Sequence, residues 1–145
     1  MRNRGCGEHP RIRDFGCEPL VFNIDHATNR NENFRTTLWT GRHLQLTLMS
    51  IPVQGEIGVE MHPDVDQFIR IESGMARVYL GNCRNDLQEE AFADKSYAIL
   101  LPAGTWHNIV NVGKCPLKLY SLYAPPQHPF GTVHRTKADA DQAGD

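Results

Sequence analysis

The chain has 145 residues, of which 40% are hydrophobic and 22% charged, and its net charge is -2. That length suits one domain able to bury a core without disulfides or a structural metal, and the composition excludes general disorder. With no basic stripe to gather phosphate backbones and no run approaching 18 apolar residues, nucleic acid and membrane are excluded as partners, and a cytoplasmic protein is expected.

The N-terminal stretch MRNRGCGEHPRIRDFGCEPL carries Arg residues but no apolar region to make them a secretion signal. Residues 1–35, ending in a polar, Asn-rich stretch, read as an arm. Cys6, Cys17, Cys83 and Cys115 are scattered without a CxxC pair, which points to reduced thiols. Cys6 and His9 lack a second close pair to complete a zinc site. From Thr36 to Ala124 short β-type runs follow one another: TTLW, HLQLTLMSI, IGVEM, QFIRIE, ARVYL, SYAILL, WHNIVNV and LKLYSLY. Turn residues such as Thr40-Gly41, Pro63-Asp64, Ser73-Gly74 and Gly113-Lys114 separate them. This spacing predicts an all-β antiparallel sandwich or barrel over residues 36–126. Residues 127–145 read as a loop and a frayed or briefly helical tail.

The chemistry concentrates in GEIGVEMHPDVDQFIRIESG, residues 55–74, and PAGTWHNIVN, residues 102–111. Side chains alternate along a strand, so Glu60 and His62 share a face while Val59 and Met61 take the other. The turn at Pro63-Asp64 reverses the chain, and a hairpin with the right face inward brings Gln67 to the same interior. A second turn at Pro102 and Gly104 delivers His107 at the head of another strand. Imidazole, carboxylate and amide oxygen converging inside an apolar body is costly unless something binds them, and a divalent metal would serve. His107 alone reads as a structural histidine; the joint pattern carries the metal reading.

These two stretches resemble the paired motifs of the cupin superfamily. Pro102, Gly104, His107 and Asn111 match the second motif at the family spacing, with Ser96 where its opening glycine would stand. In the first motif His62, Gln67 and Gly74 fit the spacing, but Glu60 replaces the first His and Gln67 replaces the Glu. Gly55 also falls one residue closer to the first ligand than usual. The resemblance implies a small single-domain cupin: a double-stranded β-helix, or jelly-roll barrel, with an N-terminal arm and a C-terminal tail. It implies one divalent ion (Zn, Mn, Fe or Ni) on Glu60, His62, Gln67 and His107, with Gln67 the weakest ligand because it brings no charge. A mixture of Gln, Glu and two His is similar to the cupin core of the type I phosphomannose isomerases, although there Gln and Glu stand in the opposite order.

The function expected is a metal-dependent enzyme on a small polar molecule, with sugar or sugar-phosphate isomerisation leading. A non-heme iron dioxygenase and a non-catalytic ligand-binding cupin are the alternatives. No catalytic base is assigned. His128 and His134 read as surface-loop residues, with an acid–base role at the barrel mouth as the second reading. Trp106 is expected to face away from His107, Arg70 and Glu72 to be solvent or interface charges, and Tyr97, Tyr120 and Tyr123 to be core or pocket walls. A homodimer is expected.

Overall fold

A computed structural model describes residues 14–144 and shows an antiparallel two-sheet jelly roll. The strands are β1 (Arg35–Thr40), β2 (Gln45–Ile51), β3 (Asp66–Ser73), β4 (Ala76–Gly81), β5 (Leu87–Ala93), β6 (Ala98–Leu101), β7 (Trp106–Asn111), β8 (Leu117–Ala124) and β9 (Val133–His134). Two short helices flank them, α1 (Ile24–Arg30) and α2 (Lys137–Gln142). One sheet runs β6-β3-β8-β2-β1-β9 and the other β5-β4-β7. Among the described residues no helix is long and apolar enough to cross a membrane.

Strand alternation sorts the two faces of the larger sheet. Met49 and Ile51 of β2, Ile69 and Ile71 of β3, Ile99 and Leu101 of β6, and Leu117 and Leu119 of β8 turn inward. They meet Val78 of β4 and Ile109 of β7 in one core. The outward face is apolar too where α1 covers it. Ile24 and Ala27 of the helix pack with Leu46, Leu48, Phe68 and Tyr120. Asn23 starts α1 by accepting the His26 N–H on its side-chain oxygen at 2.9 Å. Asp14, buried, takes N–H groups from Gly16, Thr40 and Gly131 and so ties the segment before α1 to β1 and to the C-terminal loop.

Two strands lie outside the β-type runs of the sequence. β5 is mostly exposed, has Gln88, Glu89 and Glu90 in succession in place of alternating apolar residues, and pairs on one side only, with β4. An edge strand needs no apolar face, and here the pairing is supported by an Arg77–Glu89 ion pair and by Arg77 lying over the Phe92 ring. β9 is two residues long and edges the larger sheet beside β1. The run IGVEM, in contrast, forms no regular strand: Glu60 within it and Glu56 just before it make isolated bridges to β7.

Residues of the second motif build the opposite end of the body from His107. Ser96 takes the left-handed backbone conformation, φ 76°, at the place where the family's glycine is expected. Asn111, almost fully buried, donates from Nδ2 to the carbonyls of Ile51, Pro52 and Cys115, and its Oδ1 accepts the Gly113 N–H. Asn111→Ala strands three carbonyls and is expected to lower stability by about 2–4 kcal/mol in denaturant unfolding. A loss under about 1 kcal/mol would mean that water replaces the amide at no cost.

Candidate metal centre

The interior is apolar at one end and polar at the other. Across the larger sheet Gln45, Tyr123 and Gln67 stand in one cross-strand row, and Thr47, Ser121 and Ile69 in the next. Met49, Leu119 and Ile71 follow. Each inward column thus turns polar toward the same end.

Residues 55–62 run antiparallel to β7 at that end. Glu60 donates its N–H to the His107 carbonyl (3.0 Å) and accepts the His107 N–H on its own carbonyl (2.9 Å). A pair hydrogen-bonded in this way projects both side chains to one face. His62, two residues on, shares it. Its carbonyl accepts the Gly104 N–H at 2.8 Å, while Asp66 accepts the Ala103 N–H at 2.9 Å. These bonds fasten the turn before β7 to the turn after His62. Gly104 sits at φ 88°, which suits glycine.

The three side chains converge. Glu60 Oε2 lies 3.2 Å from His107 Nε2 and 3.5 Å from His62 Nε2. One ligand atom from each residue falls within 4.8 Å of the other two, so Glu60, His62 and His107 could hold a metal ion. His107 Nδ1 lies 2.9 Å from the Thr105 carbonyl, which can only accept, so the proton belongs on Nδ1 and Nε2 of the neutral ring offers a lone pair to the metal side. That lone pair faces a carboxylate oxygen at 3.2 Å. Only a proton or a cation between them makes the approach favourable.

A proton answers for one pair. Burial alone would raise the Glu60 carboxyl, but hydrogen bonding and charge from the His107 and His62 imidazoles outweigh it and hold the group well below the usual carboxylate range. A proton shared with His107 leaves His62 Nε2 3.5 Å from the carboxylate, too far for a good hydrogen bond, and Gln67 Oε1 without a partner. A cation satisfies the first directly. The donor set, one carboxylate and two imidazoles with room for further ligands, is competent for Zn, Mn, Fe or Ni.

Gln67 occupies a less direct place. Its Nε2 donates to Ser121 Oγ at 3.1 Å, which orients the amide and leaves Oε1 as an unpaired acceptor. It neighbours Tyr123 in register, and Tyr123 meets the His62 ring edge-on with centroids 5.6 Å apart. On its other side Tyr123 meets the His128 ring, 5.2 Å between centroids. Gln45, fully buried, fixes His128 from both directions. Its Oε1 accepts the His128 N–H (2.9 Å) and its Nε2 donates to the His128 carbonyl (2.8 Å).

His128 is therefore buried beside the site rather than on a surface loop. His134 is buried as well, but on β9 against Arg35, away from the triad. Glu72 is also buried, 3.1 Å from the Arg70 guanidinium, instead of being a solvent charge, because a bulge between Ile71 and Ser73 breaks the alternation. Tyr97, just before β6, is half exposed and lies outside the buried core. Trp106 lies under the Arg84 guanidinium, 5.5 Å from its centroid. Cys6 and His9 lie outside the described residues; Cys17, Cys83 and Cys115 are exposed, and Cys83 and Cys115 are free thiols.

The Cupin domain family model matches residues 47–123, a span that holds Glu60, His62, Gln67 and His107. The chain belongs to the cupin family. It is 54% identical to YrkC of Bacillus subtilis, an uncharacterized protein, over 92% of this chain and 72% of that one. It is 36% identical to protein L612 of Acanthamoeba polyphaga mimivirus, likewise uncharacterized, over 86% of this chain and 76% of that one. The crystal structure of BH2720 from Bacillus halodurans is 56% identical and superposes with a TM-score of 0.87, over 89% of this cupin and 98% of that chain.

In metal analysis of protein purified without chelator, His62→Ala and His107→Ala are each expected to abolish stoichiometric metal while far-ultraviolet circular dichroism stays unchanged. Metal retained in both variants would refute the ligand assignment. Glu60→Ala should weaken binding far more than Gln67→Ala, since only the first removes a charge. Equal losses would make Gln67 a full ligand.

The chelated protein offers a second check. Glu60 binds its proton less readily folded than unfolded, so its ionised form contributes stability above the ordinary carboxylate range. That contribution fades as pH falls through that range toward the lower folded value. Between about pH 5 and pH 2, Glu60→Gln should therefore lose less stability than the parent. Parallel acid limbs would show that Glu60 is not held ionised by its neighbours.

Proposed function

We propose that this cupin is a metal-dependent enzyme acting on a small polar metabolite, with isomerisation of a sugar or sugar phosphate as its leading chemistry. The observation that carries the reading is the meeting of one carboxylate and two imidazoles at the polar end of the interior. A divalent ion held there by Glu60, His62 and His107 keeps a net positive charge, and it supplies polarisation of neighbouring carbonyl and hydroxyl oxygens and stabilisation of negative charge on them.

The remaining work falls to side chains around the triad. Gln67 Oε1 and Thr47 Oγ1 are buried inward-facing acceptors without hydrogen-bond partners, suited to orienting substrate hydroxyls. His128, clamped by Gln45 and stacked edge-on against Tyr123, is the acid–base group we assign to the site. His62, His107, Gln67, Tyr123 and His128 are buried while Glu60 is partly exposed, so the site opens to solvent on the carboxylate side and is shielded on the other.

The test is proton exchange. Protein loaded in turn with Zn, Mn, Fe(II) or Ni is incubated in deuterium oxide with a panel of aldoses, ketoses and their phosphates, and deuterium at the carbon beside the carbonyl is followed by NMR. Exchange with at least one substrate is expected, lost on chelation. His128→Ala should slow it about a hundredfold or more with metal content unchanged. Oxygen uptake on diols or catechols by the iron form, with no exchange, would establish a dioxygenase instead. Ligand binding without turnover in either assay would establish a binding cupin.

A further inference from the structure

Residues 55–60 and β7 do not pair in one register. Asn111 donates to the Gly55 carbonyl and Ile57 to the Ile109 carbonyl, both at 2.9 Å, and Glu56 bridges Val110. The next pair is Glu60 with His107. Between Ile57 and Glu60 stand Gly58 and Val59, whereas between Ile109 and His107 stands Asn108 alone. Two residues thus oppose one, which is a β-bulge, and Gly58 supplies its positive φ of 103°.

The bulge decides which way the ligand faces. Ile57 and Ile109 are both buried in the core. Strict alternation from Ile57 would turn Val59 inward and Glu60 to solvent. The extra residue reverses this: Val59 is exposed, and Glu60 joins His107 and His62. β7 meanwhile keeps its regular period, with His107, Ile109 and Asn111 all buried.

An inserted residue carries an N–H that the ladder cannot satisfy, and here a side chain takes it. Asn108 Oδ1 accepts the Gly58 N–H at 2.9 Å, and Asn108 Nδ2 donates to Glu56 Oε1 at 2.7 Å. The amide is buried and spans the bulge on both sides. Gly58 is also where Lys137 crosses, since an added Cβ would meet its Cε at 3.2 Å and Nζ at 3.3 Å.

We infer that Asn108 is a positioning residue for the metal centre, holding the Gly58 bulge in the form that aims Glu60 inward. The inference rests on the metal reading for its consequence but not for its geometry. Neither residue is a ligand; both act through where Glu60 points.

Cobalt(II) titration of the metal-free full chain, read by its visible absorption, tests the consequence. Asn108→Ala is expected to weaken cobalt binding about tenfold or more and to give the spectrum of Glu60→Ala. Asn108→Asp alone keeps an acceptor for Gly58 but sets two carboxylates together, and it should also bind weakly. Adding Glu56→Gln to it restores a donor and should return affinity to within about threefold of the parent and recover the parental spectrum. This pair of variants keeps the test decisive should Asn108→Ala not fold. Parental affinity and spectrum in Asn108→Ala, with only a lower Tm, would reduce Asn108 to a structural residue and overturn the inference. Failure of the parent to bind cobalt would instead sink the metal reading. A crystal structure of a metal-free Asn108 variant then decides this one: Glu60 still 3.2 Å from His107 would overturn it.

Discussion

The lone pair of His107 Nε2 and the carboxylate of Glu60 are held 3.2 Å apart inside the fold, and much of the architecture serves to keep them there. The backbone pair between the same two residues fixes their Cα positions. The Thr105 carbonyl fixes the tautomer of the ring. Left alone, such an approach of two acceptors is unfavourable in a region of low dielectric, so it persists as part of a site that takes up a proton or a cation. The apolar end of the body supplies the cohesion that holds this arrangement closed.

The polar end is not a defect in the core but a second layer of it. Moving along β2, β3, β7 or β8, the inward residues change from Ile, Leu and Met to Gln, Thr, Ser, Tyr and His at the same level. Most of these polar groups are satisfied within the protein, as Gln45 is by the backbone around His128. The atoms left over, His62 Nε2, Gln67 Oε1 and Thr47 Oγ1, belong to this same layer. Asn111, at the other end, is satisfied by four hydrogen bonds, whereas three bare acceptors gather in the layer that holds Glu60, His62 and His107.

Period-two alternation made the strands of the larger sheet and the shared face of Glu60 and His62 readable from sequence, because burial on one side leaves a clear apolar column. It failed where burial does not decide pairing. β5, an exposed edge, shows no apolar alternation, and α1 is too short and too polar outside Ile24 and Ala27 to announce itself. Glu72 was misplaced because a bulge shifts parity, and a bulge has no signature in a pattern of hydrophobicity alone. The same limit applies to the ligand strand. Glu60 and His62 share a face whatever precedes them, but that the face is the inner one depends on Gly58, whose role emerges only when Ile57 is seen to be buried as well. His128 was legible as a residue but not as a neighbour, since its approach to Tyr123 is made by Gln45, 83 positions away in sequence.

The exchange of Glu and Gln relative to the common cupin pattern preserves the charge of the donor set while moving it. The carboxylate now stands on residues 55–62, hydrogen-bonded through its backbone to the strand that carries His107. The amide stands on β3, anchored by Ser121. The two positions differ in what they ask of a side chain. Gln67 is oriented by a donor it supplies itself, so Oε1 can serve as a weak ligand or as an acceptor for a substrate hydroxyl without rearrangement. Glu60 has no such anchor apart from the imidazoles, and its direction is inherited from the backbone beneath it. A charge placed on a bulged segment is therefore aimed by backbone geometry. This is why a buried amide beside His107, itself touching no ligand site, bears on whether the centre forms.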